Sequence, residues 1–171
     1  DKHLAGKIEE AGASAVIVAN KWDLIPDKDP STINKYEKYI RAHLPMLSFA
    51  PIVFTSAETG KRVQVLFDVI DKVFKSRFTQ LSLEETKQFI SKAIMKHKPS
   101  RGKGVAHPHI QSFKQLYVNP PKFALSIRHV RKDVLATSYL RFLKNRLREE
   151  YDFEGTPIRI VVRTKKKSHT T

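Results

Sequence analysis

The chain has 171 residues, 40% of them hydrophobic, with 6 Gly and 9 Pro; it can bury a core in one medium or two small domains, which argues against a disordered chain. The absence of cysteine excludes a disulfide scaffold, a thiol nucleophile and any cysteine-ligated metal centre. The net charge of +15 is uneven: residues 1–96 carry 15 basic and 12 acidic side chains, residues 97–171 carry 17 and 5, which points to a polyanion partner for the second half, nucleic acid before membrane.

The first residues already read as helix: Leu4, Ala5, Ile8 and Ala11 follow helical spacing, and Gly12 suits a C-cap. The sequence thus begins inside an element, and a missing upstream part is expected; no secretion signal is visible, and a cytoplasmic protein is expected. Ala15 to Ala19 is an apolar run without alternation, as in a parallel strand covered on both faces. It is far shorter than the ~20 residues of a membrane span, and no membrane partner is expected. Pro26 and Asp27 to Pro30 form a loop, and Ser31 is placed to cap the next helix. That helix carries Ile33, Tyr36, Ile40 and Leu44 on one face and stops at Pro45. A second strand, Ile52 to Thr55, leads to a helix with Val63, Leu66, Phe67, Ile70, Val73 and Phe74 at the 3.6-residue period. Helices alternating with strands predict an α/β fold with a parallel sheet, whose ligands sit beyond the carboxyl ends of the strands.

Asn20-Lys21-Trp22-Asp23 stands immediately after the first strand, and Ser56-Ala57-Glu58-Thr59-Gly60 just after the second. Together they resemble the two guanine-recognition motifs of translation-factor-type GTPases. Guanine offers two adjacent donors, N1–H and the exocyclic amine, which one carboxylate (Asp23) can accept together; adenine offers no such pair. Asn20 can brace the loop, and the Lys21 stem can lie over the base. Backbone N–H groups of Ser56 and Ala57 can donate to the guanine carbonyl, and Gly60 lets the loop turn tightly. Trp22 reads as a packing residue. No phosphate-binding Gly-x-x-x-x-Gly-Lys-Ser/Thr occurs, and Asp152-Phe153-Glu154-Gly155 reads as a turn. The chain is therefore expected to hold the base-binding part of a GTPase (a partial P-loop GTPase-type parallel sheet with helices), with no catalytic residue, and not to hydrolyse GTP alone.

Arg77 to Leu81 marks the boundary between a first domain, 1–78, and a second, 79–171. Ser82-Leu83-Glu84-Glu85 is a capping box opening a helix that buries Phe89, Ile90, Ala93 and Ile94. His97 to Ile110 reads as a polar loop. Strands through Phe113–Val118 and Phe123–His129 are joined by a turn at Asn119-Pro120-Pro121-Lys122. A helix with Tyr139, Leu140, Leu143 and Leu147 on its buried stripe follows, then a strand from Thr156 to Arg163. This order predicts a small α+β sandwich.

The run Ser138 to Glu149, the stretch Phe153 to Arg159, Ala50-Pro51-Ile52-Val53-Phe54 and Asn119-Pro120-Pro121 resemble the Der (EngA) family of bacterial GTPases. The resemblance covers essentially the whole chain: the second half of the second GTP-binding domain, then a KH-like domain. It implies GTP or GDP as ligand of the intact protein, with Mg ligands outside this chain. It also implies a role in assembly of the large ribosomal subunit, with its rRNA and the other GTP-binding domain as partners. The usual KH clamp, Gly-x-x-Gly, is absent. Arg101, Lys103, Arg128, Arg141, Lys144, Arg146, Arg148 and Arg159 are then the candidates for RNA or docking contacts. Each is equally a residue of a solvated face. The alternative is a second domain that docks on the missing GTP-binding domain and reports its nucleotide state. His107-Pro108-His109 lacks the further ligands a metal site needs, so no metal is expected, and Lys165-Lys166-Lys167 reads as a solvated tail.

Overall fold

The computed structural model describes residues 1–99, 108–128 and 135–164. These divide into two compact units, Asp1–Arg77 with Phe153–Pro157, and Phe78–Asp152 with Ile158–Thr171. Helix α1 (Lys2–Ala11) ends where Gly12 turns left-handed at φ 67 and its N–H reaches the carbonyls of Ile8 and Glu9. Strands β1 (Ile17–Ala19) and β2 (Ile52–Phe54) pair in parallel, Ile17 opposite Ile52 and Ala19 opposite Phe54. Helix α2 (Thr32–His43) lies between them in sequence, and α3 (Val63–Ser76) follows.

Ser31 precedes α2, but its side chain makes no capping bond. Asp29 does the local work instead: its carboxylate accepts from the Ser31 N–H at 2.6 Å, and its own N–H donates to Thr32 Oγ1 at 3.0 Å. Arg41 secures the far end, donating to the Ala50 carbonyl at 2.6 Å. One apolar cluster joins Ala5, Leu47, Phe49 and Ala50. Trp22, sealed from solvent, packs against Phe54 (4.6 Å between rings) and edge-on to Tyr36 (5.4 Å). Along α3 only Val73 and Ser76 are buried; Phe67, Ile70 and Phe74 are 59%, 46% and 61% exposed.

Residues 153–157, expected with the second domain, belong to the first unit. The Gly155 N–H donates to the Phe49 carbonyl and its carbonyl accepts from the Ala15 N–H, both at 2.9 Å. Ser14 and Thr156 share a hydroxyl bond of 3.0 Å, and Lys72 pairs with Glu154. At Gly155, a turn with φ 67, an added Cβ would overlap the Val73 side chain. These bonds are made by backbone, hydroxyl and charged groups, which leave no mark in the apolar periodicity.

In the second unit, α4 (Leu83–Lys96) starts with the expected capping box: Ser82 Oγ accepts from the Glu85 N–H at 3.1 Å, and Glu85 Oε2 from the Ser82 N–H at 2.7 Å. Strands β3 (His109–Tyr117) and β4 (Lys122–Arg128) are antiparallel, and β5 (Arg159–Thr164) pairs parallel to β4, giving the order β3-β4-β5. Helix α5 spans Thr137–Glu150. β3 begins at His109, inside the segment that reads as loop, because Ile110 pairs with Ile127 while His109 and Gln111 face solvent. β5 begins at Arg159, after buried Thr156 and Ile158. Phe89, Ala93, Leu143, Leu147, Phe113, Phe123, Leu125 and Ile127 are all nearly inaccessible to solvent, and the Phe89 ring lies 5.4 Å from that of Phe113. The Phe113 and Phe123 rings stack 5.0 Å apart. The Gln115 side chain binds the linker, accepting from the Leu81 N–H at 2.7 Å and donating to the Thr79 carbonyl at 3.0 Å.

Candidate nucleotide-base site and basic surface

The loops leaving β1 and β2 are laced together at the carboxyl ends of the parallel pair. The Thr55 N–H donates to the Ala19 carbonyl at 3.0 Å and the Trp22 N–H to the Thr55 carbonyl at 2.9 Å. Asn20 Oδ1 accepts from the Ala57 N–H at 3.0 Å and from Thr55 Oγ1 at 3.4 Å, so it braces one motif loop against the other. Lys21 takes the left-handed conformation, φ 62, and opens the short turn Trp22–Leu24. The Asp23 carboxyl is held below its ordinary value, chiefly by the Ser56 hydroxyl; its own backbone N–H and the cations Lys28 and Lys21 act the same way, and desolvation opposes them. Asp23 Oδ1 is shielded from water and takes no protein hydrogen bond. An ionised carboxylate oxygen without a donor is what a base with two adjacent N–H groups would satisfy.

The amides of Ser56 and Ala57, expected to serve a base carbonyl, are engaged inside the loops. The Ser56 N–H donates to the Lys61 carbonyl at 3.1 Å, and the Ala57 N–H to Asn20. A base carbonyl at Ala57 would have to displace Asn20 Oδ1. Trp22 is a packing residue, and Gly60 has φ 72 in open space, as its turn requires.

The basic candidates of the second unit separate into groups. Arg146 is committed to Glu149 and Glu150 on its own helix. Arg148 is largely desolvated, and burial pulls its guanidinium down to about 10. Arg141 on α5 and Arg128 and Arg159 on the sheet are exposed, and Lys144 is half-buried. Arg101, Lys103 and His107 lie outside the described residues, as does the lysine run 165–167. Tyr139 is 2% exposed, and burial raises its hydroxyl to about 12, so it is core. Lys114, Lys122 and Arg163 were not among the candidates. Their signal is the alternation of β3, β4 and β5, which sets them on the same side as Arg128 and Arg159. Among the described residues no group of acidic or histidine side chains could hold a metal, and no helix is long and apolar enough to cross a membrane.

Residues 80–163 match the family model for the KH-domain-like C-terminal region of EngA bacterial GTPases. A parallel-sheet unit with two linked motif loops, followed by this domain, is the C-terminal arrangement of an α/β GTPase with a KH-like appendage. The chain is 40% identical over 167 residues to the GTPase Der of Pelotomaculum thermopropionicum. It is 39% identical over the same length to that of Natranaerobius thermophilus, and 40% identical over 165 residues to that of Bacillus thuringiensis. These alignments cover 96–98% of this chain and 37% of each relative. The chain belongs to the Der (EngA) family of GTPases. Aquifex aeolicus Era, solved with GDP and aluminium fluoride, aligns at a TM-score of 0.32 and 19% identity, over 94% of this chain and 60% of that one; so low a score lends no weight to any further likeness.

Proposed function

We propose that the chain is the C-terminal part of a cytoplasmic GTPase that acts in assembly of the large ribosomal subunit. Residues 1–78 would contribute guanine recognition within a GTP-binding domain, and residues 79–171 a KH-like domain that contacts rRNA. The observation that carries the nucleotide half is the pairing of the two loops: Asn20 ties Ala57 to the end of β1, and Asp23 Oδ1 is left as an unpaired anionic acceptor beside Ser56. GTP or GDP would bind in the intact protein, with the phosphate and Mg chemistry supplied by residues outside this chain. Family membership and the positive charge of the second half support the RNA role.

Asp23→Asn in the intact protein tests the first part. Guanine nucleotide binding should fall by 100-fold or more, while xanthine nucleotide binding, whose base accepts where guanine donates, should rise. Unaltered preference for guanine would refute the assignment. The RNA role is tested by titrating large-subunit rRNA and a length-matched control against the chain across a salt series. Neutralising Z phosphates gives a slope of log K on log salt of about −0.7Z to −0.9Z, and the rRNA should bind more tightly at each salt. No binding at moderate salt would favour the docking alternative.

A further inference from the structure

The register of the second sheet sorts its side chains into a covered and an open face. Phe113, Leu125 and Val162 lie across one row, and Ile110 and Ile127 across another, on the side that faces the core. The intervening rows point the other way. Lys114 lies beside Ala124 and Val161, and Ser112 beside Ser126 and Arg163; Arg128 ends β4, and Lys122 lies beside Arg159. Five cations thus share the open face, and Lys114, Arg128, Arg159 and Arg163 are exposed. None of the three strands contains an acidic residue, so no carboxylate within the sheet neutralises them.

One aromatic joins them through an irregularity in β3. Strict alternation would send Tyr117 to the covered side, after Phe113 and Gln115. The register shift between Gln115 and Tyr117 sets it opposite Lys122 instead. Tyr117 is 62% exposed, with the Lys122 ammonium 5.6 Å from its ring centre. The centre of the face is filled by Ala124, Ser112 and Ser126, so it is shallow. Cations two residues apart along a strand repeat at about 6.6–6.8 Å, and a ring at the edge offers a surface for a base. A cationic groove with an accessible aromatic is the chemistry that holds single-stranded nucleic acid.

We infer that the open face of the β3-β4-β5 sheet, rather than the basic side of α5, is the RNA-binding surface, and that it takes single-stranded RNA. This rests on the RNA-binding role proposed above. Charge carries the choice of face: Arg146 on α5 is spent on two carboxylates and Arg148 is desolvated, whereas Lys114, Lys122, Arg128 and Arg163 stand on strands whose sequences hold no acid.

The test uses the full chain and fluorescence anisotropy with labelled single-stranded oligouridylate, a duplex RNA of equal length, and polyglutamate as competitor. The triple variant Lys114→Gln/Arg128→Gln/Arg163→Gln should weaken single-strand binding at least tenfold and flatten the salt slope by about 2, since each lost phosphate contact removes ~0.7. Tyr117→Ala should weaken it about fivefold or more with an unchanged slope, because stacking releases no counterions. Arg141→Gln/Lys144→Gln should change binding less than twofold. If the α5 pair removes binding and the sheet triple does not, the face is wrong and the RNA role stands. If wild type binds no RNA, both fall. Equal or tighter binding of the duplex, or displacement by polyglutamate as readily as by unlabelled RNA, would overturn the single-stranded assignment. All these positions are exposed or half-buried, and unchanged circular dichroism would confirm that each variant is folded.

Discussion

The two units spend similar elements differently. The second closes a three-stranded sheet and two helices around fully buried Phe89, Phe123, Leu143 and Leu147. The first has a two-stranded sheet, and its α3 leaves Phe67, Ile70 and Phe74 largely open. Amphipathic periodicity is equally clear in both. What differs is how much of the apolar face finds a partner, and burial rather than helical pattern is what stabilises. The second unit should therefore be the more resistant to denaturant, and the first should depend on a few specific contacts.

The chain's single tryptophan, Trp22, lies in the first unit, so fluorescence reports that unit while far-ultraviolet circular dichroism weighs both. Leu143→Ala should cost about 3–4 kcal/mol, as for truncation of a fully buried leucine. It should shift the circular dichroism transition in urea and leave the Trp22 transition in place; coincident shifts would mean that the chain unfolds as one cooperative body. Gly155→Ala should cost about 2–3 kcal/mol, from overpacking against Val73 and a left-handed backbone, and should move the Trp22 transition first. Ser82→Ala, which removes the helix cap, should cost about 1 kcal/mol in the second unit. Phe67→Ser on the open face of α3 should stay within about 0.5 kcal/mol; a larger loss would show that this face is covered.

The cap also sets a pH dependence. The Ser82 backbone N–H, and then its hydroxyl, hold the Glu85 carboxyl below its ordinary value. Its ionised form is thus favoured more by the folded chain than by the unfolded one. That contribution is complete above the unfolded carboxylate pKa and disappears as pH falls through the folded value. A Glu85→Gln variant, which has no carboxylate to titrate, should lose less stability than wild type across that acidic window, measured by urea midpoints at stepped pH.

Features made by neighbours in sequence were legible before the structure. The Ser82–Glu85 box, the Gly12 cap and the inward alternation of Phe123, Leu125 and Ile127 are such features, each local in spacing and chemistry. The two motif loops were legible because each follows a strand directly. Ser31 does not cap because its backbone is already helical, φ −83 and ψ −17, and its hydroxyl is engaged by the Asp29 carboxylate rather than by the first turn. Arg146 could not be withdrawn from the RNA candidates until its two helix neighbours were seen to hold it. Tyr117 depends on a shift in β3 register, which strict alternation cannot reveal. The engaged amides of Ser56 and Ala57 are set by Asn20 and Lys61, and only the fold brings Asn20 there.

The placement of residues 153–157 has a consequence for the order in which the protein is made. Ser14 meets Thr156 across 142 positions, so the first unit cannot be sealed when Arg77 leaves the ribosome. At ~5–20 residues per second, Pro157 follows about 4–16 s later, and until then the site of Gly155 beside Val73 stays vacant. The second unit waits too, since β5 comes directly afterwards. One short stretch, from Phe153 to Thr164, thus completes both bodies, and a chain released before it would leave two unfinished cores at once.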